Sequence, residues 1–568
     1  MRYDLYTLEG ERVPDTPWPD YPRPQLRRDS FFNLNGLWEF AVPPDGCSPV
    51  YDRTIRVPFC PESLLSGVHR HFAEGSRLFY RRFFSLPEGF VRDRVLLHIG
   101  AADQVLDCFV NGRHVGGHTG GYTSMTFDIT AALDRRNELV VQVQDDLRSP
   151  ALPYGKQVQK PGGMWYTPVS GIWQTVWLES VPACYVRGLD IRADDRQAVI
   201  DTGDETLRGE VTVRTPDGEM TCPLEKGRAV VRPARPRQWS PRDPYLYFFT
   251  LKTESDRVES YFALRRLDVR QIHGAARLCL NGKPLFFHGV LDQGYYSDGL
   301  YTPAAPRCYE QDIRTMQRLG FNTLRKHIKI EPEIFYYQCD RLGMVVFQDM
   351  VNNGDYRFVR DTLLPTLGFR RKRDVRLHRD PAARAAFLEG MEATVAQLKN
   401  HPCIFLWTVF NEGWGQFDSA RVYARLKELD PDRFVDTASG WFLPAATDVD
   451  SRHIYFGPWR LRPGDNPLLL TEFGGACLAV EGHLYHPDKS YGYSTCKDRA
   501  ALEQRLRALY EKRVLPAARK GLCGAIYTQL SDVEDEINGL VTWDRRVVKV
   551  EPDFLRELAR RLEEAVDR

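Results

Sequence analysis

From residue 285 onward, short apolar runs alternate with longer segments whose apolar residues recur at helical spacing. A short apolar run with few polar interruptions fits a strand buried on both faces, and a helix between two such runs is the crossover that parallel strands require. The runs fall at residues 285–291, 323–325, 344–347, 404–410, 434–437, 453–456, 468–471 and 525–528. Eight such strands with intervening helices fit a (β/α)8 TIM barrel. Helices are predicted at 310–319, 332–342, 381–398, 420–429, 500–519 and 552–565. Asp380-Pro381 marks one start, a capping side chain followed by a proline whose fixed φ suits the first turn. The basic stretch 369–379, in the long connection before that helix, reads as a solvated loop.

The preceding part of the chain has a different period. Short β-type runs at 36–42, 79–85, 94–99, 105–110 and 139–143, separated by turn signals, predict an antiparallel β-sandwich. Asn111-Gly112 between two apolar runs is a hairpin signal, because both residues accept positive φ. A second β-rich block, with runs at 209–214, 229–232 and 246–253, is long enough for a small immunoglobulin-like sandwich. The expected division is therefore 1–180, 181–270 and 271–568, and a chain of 568 residues is too long for a single core.

Charge and cysteine usage narrow the functional classes. With 77 basic against 76 acidic side chains the net charge is +1, so no global field steers the molecule to nucleic acid or lipid. The first residues carry no apolar run resembling a signal peptide, and no stretch approaches the ~18 apolar residues of a membrane span. A soluble cytoplasmic protein is expected. The 12 cysteines are scattered without a CxxC pair, which predicts buried free thiols in place of a disulfide frame.

In a barrel the carboxyl ends of the strands form the active face, so polar side chains just after apolar strands are the catalytic candidates. The run 404–410 leads into Asn411-Glu412-Gly413-Trp414, and 468–471 leads into Glu472-Phe473-Gly474-Gly475. Two carboxyls on one face are what glycoside hydrolysis requires: one protonates the departing oxygen and the other meets the oxocarbenium-like anomeric carbon. At about 5 to 5.5 Å apart the second attacks directly and configuration is retained. Glu412 and Glu472 are the candidate pair, and Asn411 would donate to the sugar's 2-hydroxyl. Trp407, inside an apolar strand, reads as core, whereas Trp414 and Trp441 follow strand exits and could stack on a sugar ring. Asp292 and Asp349 end the first and third strands; hydroxyl-binding and salt-bridged roles are equally open for both.

These residues resemble glycoside hydrolase family 2, which includes β-galactosidases, β-glucuronidases and β-mannosidases. The matching stretches are Asn33-Leu34-Asn35-Gly36-Leu37-Trp38, Gly171-Ile172-Trp173-Gln174, Asn400-His401-Pro402-Cys403, Asn411-Glu412 and Thr471-Glu472-Phe473-Gly474. The resemblance implies a jelly-roll sugar-binding domain, an immunoglobulin-like sandwich and a catalytic barrel, in that order. It implies that Glu412 is the acid/base, Glu472 the nucleophile and Asn411 the 2-hydroxyl contact, and places Arg325 beneath the nucleophile. His327, in an altered form of the family's Arg-x-Ser-His pattern, is open between a sugar contact and a loop-structuring role. His453 and Tyr455 are implied at the pocket edge, and Tyr527 stands near the place of the family's tryptophan platform.

The glucuronidases' Asn-x-Lys motif has its counterpart at Asn538-Gly539-Leu540, with leucine where lysine would be needed. Asp532, Glu534, Asp535 and Glu536 add negative charge nearby, so a uronic acid would need another cation such as Lys326 or Lys329. The expectation is a retaining exo-β-glycosidase for terminal neutral sugars, galactose first on family frequency. β-Glucuronidase or β-mannosidase specificity, and a catalytically silent carbohydrate-binding protein, are the alternatives. No cofactor and no essential metal are expected, and no nucleic-acid or membrane partner; homo-oligomerisation stays open.

Overall fold

The computed structural model describes residues 4–364, 374–440, 446–457, 459 and 461–567. Eight strands form one parallel sheet: β1 (Phe287–Asp292), β2 (Thr323–Lys326), β3 (Val345–Asp349), β4 (Ile404–Asn411), β5 (Phe434–Ser439), β6 (Asp450–Ile454), β7 (Leu468–Gly474) and β8 (Leu522–Thr528). Their spatial order is β5-β4-β3-β2-β1-β8-β7-β6. The sheet thus curls into a barrel whose edges, β5 and β6, face each other. Side chains bridge that seam: Ser451 Oγ donates to Asp436 Oδ1 at 2.9 Å, and the Gly440 amide donates to Ser451 Oγ at 3.3 Å.

The strands are apolar because both faces are covered. Every residue of β1, β2, β3, β4 and β8 is buried. Phe287, Phe347 and Phe405 pack against one another inside the barrel core, with ring centres 5.3 Å and 6.0 Å apart. Removing one such ring costs ~3–5 kcal/mol.

Helices cover the outside. The helix Pro381–Leu398 starts where the Asp380-Pro381 signal puts it, with Asp380 Oδ1 accepting from the Ala382 amide at 3.0 Å. The single helix expected at 500–519 is instead α-helix Arg499–Leu509, a π-type turn over Tyr510–Val514 and α-helix Leu515–Arg519. Pro516 explains the irregularity, since it cannot donate to the preceding turn. Of the basic stretch 369–379, residues 369–373 lie outside the described residues.

The preceding chain is antiparallel. Strands Arg53–Val57, Gly36–Ala41, Arg77–Phe84, Asn137–Gln144, Val105–Val110 and Arg113–Thr119 form a six-stranded sheet in that order. It shares an apolar core with a four-stranded sheet containing Arg94–Ile99 and Val176–Val181. Asn111 and Gly112 make the hairpin turn with φ of 51° and 76°, as their sequence predicts. A second pair of sheets, of three and four strands, encloses a core of Val186, Ile200, Val211, Leu251 and Phe262 among others.

The barrel core does not stop at the barrel. Trp173, Tyr122, Trp239 and Tyr261, from the antiparallel blocks, belong to the same apolar cluster as Phe405 and Leu324. All 12 cysteines are free thiols, and all but Cys47 and Cys184 are buried. Among the described residues, no helix is long and apolar enough to cross a membrane.

Candidate active site

The two carboxyls converge. Glu412 immediately follows β4, and Glu472 lies within β7, which runs on to Gly474 instead of ending at Thr471 as the sequence suggests. One ligand-capable atom from each of Glu412, His453 and Glu472 lies within 4.8 Å of the other two. Glu412 is 6% exposed and Glu472 4%, so both face a largely dry space. Glu412 takes a positive φ of 52°, an uncommon backbone for glutamate, and its amide donates to the Ser439 carbonyl at 2.9 Å, which holds it there.

Arg325, fully buried on β2, organises the pair. Its Nη1 donates to Glu472 Oε1 at 2.9 Å and to the Thr471 carbonyl at 3.1 Å. Its Nη2 donates to Asn411 Oδ1 at 2.8 Å, and its Nε to Asp349 Oδ1 at 3.0 Å. Because arginine only donates, Asn411 must turn its oxygen toward Arg325, and the amide nitrogen is the end left for a sugar hydroxyl.

His453 joins the two carboxyls. Arg325 Nη1 lies 3.2 Å from its Nε2, which therefore accepts, so the ring proton sits on Nδ1. That Nδ1 donates to Glu412 Oε1 at 2.8 Å and stands 3.5 Å from Glu472 Oε1. Gly440 makes room for the ring: a Cβ at that position would sit 2.7 Å from His453 Cγ, and its φ is 98°.

Electrostatics separate the roles. Burial alone would raise the pKa of Glu472, but the positive sides of His453 and Arg325, with the Tyr455 hydroxyl donating to Oε2, bring it down to about 2. An ionised Glu472 suits a nucleophile. His327 is pushed down to about 4, chiefly by burial, and its Nδ1 is 2.7 Å from Asp349 Oδ2. Asp349 thus braces Arg325 and His327 from below. The cluster of Glu412, His453 and Glu472 has ligand types suited to a metal, but the Arg325 guanidinium already supplies the positive charge that bridges Glu472 and His453.

Other expected site residues are placed elsewhere. Asp292 pairs with Lys326 Nζ at 2.7 Å and caps the Gly294 amide at 2.9 Å, the salt-bridged alternative. The Tyr527 ring packs edge-on against Phe473 at 5.8 Å. The titratable groups that act on it are the Cys477 and Cys496 thiols and Arg505, not Glu412 or Glu472. Trp414 stacks on Trp165 at 5.1 Å, and Trp441 lies outside the described residues. Lys326 and Lys329 both bind Glu331, at 2.8 and 2.9 Å, and Lys329 also donates to the Gly294 and Tyr301 carbonyls. Neither remains for a substrate.

The sequence reading missed the wall supplied by residues 154–167 of the antiparallel part. The Tyr154 amide donates to the Asn352 carbonyl at 3.1 Å, the Tyr166 hydroxyl to Glu536 Oε2 at 2.5 Å, and the Thr167 amide to Glu534 Oε1 at 2.9 Å. Tyr493 also went unnoticed; its ring stacks on Tyr455 at 4.2 Å, and Gly475 admits it, since a Cβ there would lie 2.2 Å from the ring. A long glycine-, proline- and aromatic-rich stretch between strands was the available signal for 154–167.

A parallel eight-stranded barrel with two carboxyls at the carboxyl ends of β4 and β7 is the frame of a barrel hydrolase. Residues 271–549 match the model for glycosyl hydrolases family 2, TIM barrel domain, and the chain belongs to glycoside hydrolase family 2. It is 29% identical over 441 residues to a β-galactosidase of Aeromonas hydrophila, covering 70% of this chain but 41% of that relative. It is 25% identical over 539 residues to a human β-glucuronidase, covering 82% and 77% of the two chains. In fold it is similar to a solved β-D-glucuronidase for Dictyoglomus thermophilum, with a TM-score of 0.71, 19% identity and coverage of 95% and 98%.

Proposed function

We propose that the protein is a retaining exo-β-glycosidase that removes terminal neutral β-linked sugars, β-galactosides first, with Glu412 as acid/base and Glu472 as nucleophile. The observation that carries this reading is the approach of the two carboxyls to within 4.8 Å, close to the ~5–5.5 Å at which one carboxylate attacks directly and far below the ~6.5–9.5 Å that leaves room for an intervening water.

In the first step Glu472 attacks the anomeric carbon while Glu412 gives its proton to the glycosidic oxygen; the carbon–oxygen bond breaks and the aglycone departs as an alcohol. In the second, Glu412, now ionised, takes a proton from water, whose oxygen displaces Glu472 and leaves the sugar in its original configuration. His453 holds one oxygen of Glu412 so that the other is free to carry the proton. The 154–167 segment, tied to Asn352, Glu534 and Glu536 beside the barrel's strand ends, would limit access in this reading, which suits removal of chain ends. These steps use no metal. In this reading the two antiparallel blocks are the jelly-roll and immunoglobulin-like domains, divided near 180 and 270, and buried reduced thiols suit the cytoplasm.

A β-glucuronidase reading is supported by the human relative, which aligns over most of both chains. The neutral reading is preferred because Leu540 stands where that activity would need a lysine and because Lys326 and Lys329 are both engaged by Glu331.

The test is covalent labelling. A 2-deoxy-2-fluoro β-glycoside with a good leaving group should inactivate the enzyme and mark Glu472, located by peptide mass spectrometry. Glu412→Ala should lose at least ~100-fold on substrates with poor leaving groups and far less on activated ones. A label found reproducibly on another carboxyl overturns the assignment.

A further inference from the structure

The 154–167 wall carries a lysine that the steps above leave unused. Lys156 is 6% exposed, yet its ammonium makes no hydrogen bond or ion pair with any described residue. It sits instead against three aromatic rings, 4.8 Å from the centre of Trp414, 5.7 Å from Trp165 and 5.9 Å from Tyr166. Ring faces hold a desolvated cation in place but leave all three of its N–H donors unspent. Its charged neighbours are Glu536 first, then Glu472 and Glu412; burial outweighs them and lowers the ammonium's pKa.

Glu536 is fixed and oriented. Its Oε2 accepts from the Tyr166 hydroxyl at 2.5 Å and its Oε1 from Asn538 Nδ2 at 2.9 Å, while no ion pair closes between it and Lys156. A buried lysine and a buried carboxyl, the latter's pKa raised by burial, are thus held near each other without an ion pair.

We propose that Lys156 and Glu536 read a hydroxyl of the bound sugar and thereby select an uncharged glycone. A hydroxyl is both acceptor and donor, so one group can accept from Lys156 and donate to Glu536 at once. A sugar carboxylate can only accept; it would satisfy the lysine but offer Glu536 no proton, and the ionised Glu472 would repel it. Lys326 and Lys329, spent on Glu331 and carbonyls, cannot offset that repulsion.

The pairing rests on the glycosidase reading, and its test separates the two. The measurement is kcat/KM of the full chain and of Lys156→Met on 4-nitrophenyl β-D-galactoside, β-D-glucoside and β-D-mannoside, on monodeoxy analogues of the best of these, and on β-D-glucuronide and β-D-galacturonide. The wild type should prefer the neutral glycoside to the matching uronide and discriminate against one deoxy analogue by ~100-fold or more. Lys156→Met should lose about as much on the parent sugar and handle parent and that analogue almost equally. Glu536→Gln is the second arm, expected to relax the same discrimination, and it decides the matter if Lys156→Met does not fold. Unchanged kcat/KM in the variants overturns the pairing, as does a wild-type preference for a uronide that collapses in Lys156→Met. A wild type that turns over no glycoside and leaves Glu472 unlabelled overturns the glycosidase reading as well.

Discussion

Glu472 shows how a buried carboxylate is kept ionised. Its folded pKa of about 2 lies below the ~4.3 of an unfolded glutamate, so its ionisation stabilises the fold. That contribution is complete above the unfolded value and is lost as pH falls from there through about 2. Denaturant unfolding of wild type and Glu472→Gln between pH ~6 and the acid limit should show their difference shrinking with acidity over that window. A difference that stays flat would mean that Arg325 and His453 do not stabilise the ionised nucleophile. The same environment keeps Glu472 ionised in the neutral range, as the proposed nucleophile requires.

Strand ends, where regular backbone gives way, place the chemistry. At the β5–β6 seam the hydrogen-bonded ladder is replaced by side-chain links, and His453 enters there from β6 against the glycine that ends β5. Gly440→Ala should therefore act on both stability and rate. An alanine at φ of 98° is strained and its Cβ meets the His453 ring, so a loss of ~1–3 kcal/mol is expected. Displacing the ring frees Glu412, and kcat should fall by ~10-fold or more while KM changes little. Thermal unfolding and steady-state kinetics on one activated substrate check both halves; an unchanged kcat would show that His453 does not position the acid. The sequence places β6 at 453–456 whereas the strand is Asp450–Ile454, because Asp450, Ser451 and Arg452 hide it from a reading that looks for apolar runs.

At the scale of the molecule, the antiparallel blocks and the barrel are mutually dependent. Arg28 joins the two antiparallel blocks: it donates to Asp256 at 2.7 and 3.1 Å, to Glu179 at 3.1 Å and to the Val186 carbonyl at 2.6 Å, all buried. Arg28→Met leaves buried Asp256 without its arginine and Glu179 with Arg23 as its remaining one, and should cost ~3–5 kcal/mol. Because Arg28 is remote from the catalytic pair, KM should hold while the unfolding midpoint drops, measured by denaturant titration followed by fluorescence. A midpoint within error of wild type would mean that the network carries no stability. The 154–167 wall extends that dependence toward the barrel's strand ends, since Tyr166 bonds Glu536 and Lys156 lies against Trp414.

Periodicity and composition by themselves determined the barrel, the antiparallel character of the earlier blocks, the hairpin at Asn111-Gly112 and the two glutamates at strand exits. These features are local: burial on both faces dictates apolar runs, and a strand's end is written in the residues beside it. Tertiary structure alone decided that Asp292 serves Lys326, that Lys326 and Lys329 are consumed by Glu331, that Tyr527 packs against Phe473, and that a lysine from the antiparallel part stands beside the catalytic pair. Each of these depends on which distant side chain fills a site first. A buried charge takes whatever partner folding brings to it, and residues far apart in the chain carry no spacing from which that partner could be read.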